Sequence, residues 1–101
     1  MPIHCTQEDR TLTAVISGEL DHHAARQLMA ELERRIDAAL PLRLTLDLAG
    51  LTFTDSSGIA VLIRAHRSME RLGGKLVVTH TPPQAEKVFR AAGLQRLITF
   101  E

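Results

Sequence analysis

Two short segments carry residue types that can do chemistry. In Leu51-Thr52-Phe53-Thr54-Asp55-Ser56-Ser57-Gly58-Ile59 an acid, two hydroxyls and a glycine stand where a strand gives way to a helix. Asp55 or Ser56 can accept hydrogen bonds from the first free N–H groups of that helix, inside the positive end of its dipole. Capping alone accounts for such residues, since Ser, Asp and Gly are common at helix starts. The same place also suits a phosphate carried by a serine hydroxyl, because helix N-termini offer N–H donors and a favourable dipole to anions. Spacing leaves both readings open. The second segment, Ser17-Gly18-Glu19-Leu20-Asp21-His22-His23, again joins a strand to a helix, with Asp21 as a candidate N-cap. If the two strands are neighbours, both loops open at one end of the sheet, where α/β proteins usually place their sites.

Enzyme chemistry fares poorly against the same residues. Ser56-Ser57-Gly58 lacks the preceding glycine of a nucleophile elbow, and the chain has neither a GK[ST] phosphate loop nor dinucleotide-type glycine spacing. His66 and His80 are candidate bases for a Ser57-centred hydrolase, but His66 lies on an apolar helical stripe and reads as a core-edge residue. His22 and His23 diverge by about 100° on a helix, and no third ligand has helical spacing, so no metal site is expected.

The elements that must position these segments follow from periodicity. Thr11 to Ser17 alternates, with Leu12, Ala14 and Ile16 on one side and Val15 out of phase; Ile3 to Gln7 is a weaker strand, joined to it through Glu8-Asp9-Arg10 as an antiparallel hairpin. Between Asp21 and Leu40, Ala25, Leu28, Met29, Leu32, Ile36, Ala39 and Leu40 recur at helical steps, and Pro41 marks the stop. Leu42 to Leu48 alternates without a break. Ile59, Leu62, Ile63, His66 and Met69 form a second helical stripe ended by Gly73-Gly74, read as positive-φ residues. Lys75 to His80 is a more fully buried strand. Thr81 is a candidate cap, with Pro82 and Pro83 in a first turn and Gln84 at capping-box spacing. Ala85, Val88, Phe89 and Ala92 line the helix that follows, Gly93 ends it, and Leu97 to Phe100 is a last strand. The order β-β-α-β-α-β-α-β implies an α/β fold with a mixed, mostly parallel sheet. The polar side of Leu42 to Leu48 puts the helices mainly on one face.

Composition narrows the function. At 101 residues, 45% hydrophobic and 24% charged, the chain fits one globular domain, residues 1–101, with a single core. Lys plus Arg (12) balances Asp plus Glu (12), which leaves no electrostatic footprint for nucleic acid or anionic membrane. Aromatics are 3% of residues, with no Trp or Tyr, so a base-stacking or sugar platform is not expected. The lone Cys5 cannot form an internal disulfide, no apolar run approaches a membrane span of about 18 residues, and Met1-Pro2-Ile3-His4 lacks a signal-peptide pattern. A cytoplasmic protein is expected.

Gly18-Glu19-Leu20-Asp21-His22-His23-Ala24-Ala25 and Asp55-Ser56-Ser57-Gly58-Ile59, followed by Gly73-Gly74 and Ala92-Gly93-Leu94, together resemble the bacterial anti-sigma factor antagonists of the STAS domain family. Gly18 to His23 is especially similar to the sporulation members. The resemblance runs in order over nearly the whole chain. It implies a phosphorylatable switch and no catalyst. In that family the unphosphorylated antagonist binds an anti-sigma factor serine kinase and frees the sigma factor. The kinase, which supplies the ATP and Mg²⁺, switches binding off by phosphorylation, and a PP2C-type phosphatase restores it. Carried over, the phosphoacceptor is Ser57. The partner-binding surface is Glu19, Asp21, His22, Thr54, Asp55, Ser56, Gly58 and Ile59. The antagonist itself needs no cofactor. Family members usually continue into a C-terminal helix, whereas this chain stops at Glu101, so that helix is either missing or truncated; a missing helix would leave an apolar patch favouring weak self-association. The same family includes stressosome and transporter-associated scaffolds, the alternative role the resemblance allows.

Overall fold

The computed structural model describes residues 3–101; Met1 and Pro2, part of the stretch read above as lacking a signal peptide, lie outside them. Strand β1 (Ile3–Glu8) turns through Asp9-Arg10 into β2 (Thr11–Leu20), pairing antiparallel with Cys5 opposite Ala14. Helix α1 (His22–Ala39) follows, then β3 (Arg43–Thr54), α2 (Ser56–Arg71), β4 (Lys75–Thr79), α3 (Pro83–Ala91), a 3₁₀ turn (Leu94–Arg96) and β5 (Thr99–Phe100). The sheet order is β1-β2-β3-β4-β5, and every pair after the first is parallel.

One layer of core explains this arrangement. Leu44, Leu46 and Leu48 of β3 are buried, and so are Leu28, Leu32 and Ile36 of α1, Leu62 and Met69 of α2, and Ala85 and Phe89 of α3. All belong to one cluster, so the three helices share one face of the sheet. The other face is mostly polar and half-buried or exposed, with Val15 of β2 half-buried and Val77 of β4 fully buried. On the same face the Arg43 guanidinium donates to Thr45 (3.3 Å) and to Glu101 (3.5 Å), linking β3 to the residue after β5. Among the described residues no helix is long and apolar enough to cross a membrane.

Several local expectations are corrected. The last strand is Thr99–Phe100 alone, because a 3₁₀ turn whose Leu94 is buried takes the preceding residues. Helix α1 ends at Ala39, with Leu40 in the left-handed region (φ 46°) and its N–H on the Ile36 carbonyl at 2.8 Å. Gly73 has positive φ, but Gly74 does not. Gly74 instead answers a close approach: a Cβ there would stand 2.6 Å from the Leu42 carbonyl oxygen and 2.7 Å from Met69 Cε. Thr81 caps nothing. Pro82 is the N-cap of α3 without a side-chain bond, and Thr81 Oγ1 is buried without a partner among the described residues.

Candidate functional site

Both segments singled out in the sequence are more strand than loop. β2 continues through Gly18, Glu19 and Leu20, so Asp21 alone separates it from α1. β3 continues through Thr54, so Asp55 alone separates it from α2. Strict alternation hides this continuation, because buried positions in β3 step by two through Leu48 and then by three, to Leu51 and Thr54. Two bulges account for the change. Val15 and Ser17 face Asp47 and Gly50, and Gly18 and Glu19 face Leu51 and Phe53, so β3 gains one residue over β2 each time. After both bulges Leu20 lies opposite Thr54, which places Asp21 beside Asp55 at the C-terminal end of two adjacent parallel strands.

Each acid caps its helix. Asp21 Oδ1 accepts the Ala24 N–H at 2.9 Å, and Asp55 Oδ1 accepts the Ser57 N–H at 2.8 Å. The Asp55 carbonyl also takes the Gly58 N–H at 3.0 Å. The donors expected to be free at the head of α2 are therefore partly engaged. Ser56 is exposed and Ser57 half-buried, with no hydrogen bond on the Ser57 hydroxyl among the described residues. Glu19, Asp21 and His22 are exposed and Asp55 is half-buried, which gives the serine an acidic border.

Thr54 and Gly58, read as surface residues, are buried, and Ile59 packs half-buried against the core. Thr54 Oγ1 donates to the Leu20 carbonyl at 3.3 Å, tying the end of β2 to the end of β3. Gly58 lets α2 approach that hydroxyl, since a Cβ there would lie 2.0 Å from Thr54 Oγ1. Both residues position the serine.

Gln84 is the member that sequence reasoning misplaced. Its Nε2 donates to the Thr54 carbonyl at 2.8 Å and its Oε1 accepts the Thr54 N–H at 3.0 Å, imitating a strand partner where the ladder to β4 has ended. Its place three residues after Thr81 suggested a capping box, and no local signal points to Thr54 instead. Gln84→Ala removes both bonds at the last residue of β3. We expect a loss of about 1–3 kcal/mol from two net hydrogen bonds of about 0.5–1.5 kcal/mol each, read from urea denaturation, with amide shifts centred on Thr54 to Gly58. An unchanged midpoint would mean that water replaces the amide.

Among the described residues no triad surrounds Ser57. His66 Nε2 faces Glu70 at 3.6 Å, and His80 Nδ1 faces Asp47 at 3.3 Å and Thr79 at 3.2 Å. Burial pushes the Cys5 thiol up, partly opposed by Arg35, so the thiol stays protonated and weakly nucleophilic.

Fold and site together define a two-layer α/β domain that displays an acid-capped serine at the C-terminal end of its central strands. The STAS domain family model matches residues 3–101, and the chain belongs to that family. It is 33% identical over 84 residues to a Lysinibacillus sphaericus protein named anti-sigma F factor antagonist, covering 83% of this chain and 72% of that one. Among solved structures it resembles the anti-sigma factor antagonist SpoIIAA in its unphosphorylated form, with TM-score 0.85 and 27% identity, covering 99% of this chain and 88% of that one. The phosphorylated form of the Bacillus cell fate determinant SpoIIAA matches with TM-score 0.76 and 27% identity, covering 99% of this chain and 91% of that one.

Proposed function

We propose that this protein is an anti-sigma factor antagonist that works as a reversible switch in the cytoplasm. Unphosphorylated, it docks on an anti-sigma factor serine kinase and releases the sigma factor. Phosphorylated on Ser57, it lets go. The observation that carries the reading is the Ser57 hydroxyl itself, free of hydrogen bonds among the described residues at the head of α2, on a backbone held by Asp55 and beside exposed Glu19 and Asp21. That border suits Arg or Lys of a kinase.

Ser57 Oγ attacks the γ-phosphorus of partner-bound ATP. The bond from that phosphorus to the β,γ-bridging oxygen breaks, ADP leaves, and the hydroxyl proton passes to a base of the partner. A PP2C-type phosphatase reverses this with water, returning the hydroxyl and inorganic phosphate. ATP and Mg²⁺ belong to the kinase, and this chain by itself turns over neither esters nor nucleotides.

The test is binding to the purified anti-sigma kinase, followed by phosphosite mapping after incubation with ATP. Ser57→Ala binds and takes no phosphate. Asp21→Ala binds more weakly and loses a cap bond of about 0.5–2 kcal/mol while keeping its fold. Phosphate on another residue would refute the assignment, and unchanged Asp21→Ala affinity would place the docking surface elsewhere. Ester turnover abolished by Ser57→Ala would make the protein a hydrolase.

A further inference from the structure

A groove of about 330 Å³ lined by Ser56 and Ser57 runs between α1 and α2. Ala25, Met29 and Val61 give it an apolar floor, and its walls carry His22, Arg26 and Arg64 with no carboxylate among the lining residues. The two guanidinium groups are not equivalent. Arg64 is bound to both oxygens of Glu33, at 3.0 and 3.2 Å. Glu33 lies two turns beyond Arg26 on α1, so Arg64 is neutralised and drawn to the far end. Arg26 is exposed, and among the described residues its guanidinium makes no hydrogen bond or ion pair.

The helices leave adjacent parallel strands at the same end and so run in the same sense. Side chains on a helix lean toward its N-terminus. Arg26, one turn into α1, therefore leans back toward the level of Ser57, which lines the same groove. Resting on the reading of Ser57 as phosphoacceptor, we propose that Arg26 is the receptor for that phosphoryl group and that phosphoserine 57 lies in the α1–α2 groove. A phosphoryl dianion brings three acceptor oxygens. The Ser57 and Gly58 N–H groups are already taken by Asp55, and the carboxylates of Glu19, Asp21 and Asp55 repel a phosphoryl dianion rather than hold it. The unpaired fork of Arg26 offers donors in the geometry that phosphate accepts. Captured there, the dianion covers the apolar floor as well as the serine.

The test places phosphoserine at position 57 by genetic encoding, with no kinase involved, and follows its second ionisation by ³¹P NMR. A neighbouring cation favours the dianion, so loss of Arg26 raises the midpoint. Relative to the otherwise native phosphoprotein, Arg26→Ala raises it by about half a pH unit or more, Arg26→Lys by less, and Arg64→Ala leaves it in place. Imidazoles titrate over the same range, so every variant keeps His22, as well as Glu19, Asp21, Asp55 and Glu33. Amide spectra of unmodified Arg26→Ala that overlay the native ones away from α1 establish that it folds. Equal midpoints with and without Arg26 overturn the proposal, and so does a shift seen only in Arg64→Ala. A kinase that never phosphorylates Ser57 would refute the functional reading and leave this titration unchanged, so the two failures are distinguishable.

Discussion

Phosphoserine at position 57 weakens binding to the anti-sigma partner by tens to thousands of times and leaves the domain folded. The group brings about −1.5 to −2 charges at pH 7. In the free protein those charges stay partly hydrated, within the positive end of the α2 dipole and on the same groove as Arg26. Glu19, Asp21 and Asp55 oppose them, but Glu19 and Asp21 are exposed, where water and salt screen the repulsion. No hydrogen bond among the described residues depends on the Ser57 hydroxyl, so modifying it removes none. Docked against a surface shaped for a neutral hydroxyl, the dianion loses its water. Leaving a charge buried and unpaired costs roughly 2–5 kcal/mol, which converts to that range of affinity at 1.4 kcal/mol per tenfold. Masking outweighs melting. Ser57→Asp reproduces only part of the loss, since one carboxylate carries less charge and fewer oxygens. Calorimetric titration with the kinase, beside amide NMR of both forms, checks this. Equal affinities, or shifts spreading through Leu44 to Leu48, would refute it.

Gly58→Ala destabilises the domain by about 1–5 kcal/mol, against the usual direction of that change in a helix. Alanine within a helix ordinarily gains about 1 kcal/mol over glycine, and Gly58 has no positive φ for alanine to resist. Space decides the sign. The new methyl would lie 2.0 Å from Thr54 Oγ1, with Thr54 Cβ at 3.3 Å and Leu20 Cδ2 at 3.4 Å behind it. Either α2 lifts from the sheet, or Thr54 rotates and gives up its bond to the Leu20 carbonyl. Overpacking costs about 1–3 kcal/mol, and an orphaned buried hydroxyl a further 1–3 kcal/mol. These together exceed the helical gain. A domain of this size loses about 4–8 °C of Tm per kcal/mol, so calorimetry resolves the effect. Thr54→Ala in the same background recovers part of it by removing the clashing atom, a coupling that a double-mutant cycle reads directly. Additive losses would show that Thr54 and Gly58 do not share one packing constraint.

The sequence by itself determined what repeats or pairs over a few residues. The helical stripe from Ala25 to Ile36, the alternation from Leu44 to Leu48 and the hairpin turn at Asp9-Arg10 all appear in the structure. So do the capping acids Asp21 and Asp55, because each bond they make closes within three residues. Family membership was legible for a related reason, since the Gly18 to His23 and Asp55 to Ile59 segments are contiguous. What only the tertiary structure decided joins distant positions. The two bulges in β3 change the buried spacing from two to three and exist only against β2. Thr54 is tied to Leu20 across 34 positions and to Gln84 across 30. Gln84 could have capped its own helix or reached the sheet, and packing chose the sheet. The need for glycine at 58 and 74 lies in the nearness of Thr54 Oγ1 and the Leu42 carbonyl, not in backbone dihedrals. The contrast between Arg26 and Arg64 arises because Glu33, 31 positions from Arg64, stands across the groove. Local patterns record which face a residue turns to the core, whereas charge pairing and close approach are settled only when separate elements pack.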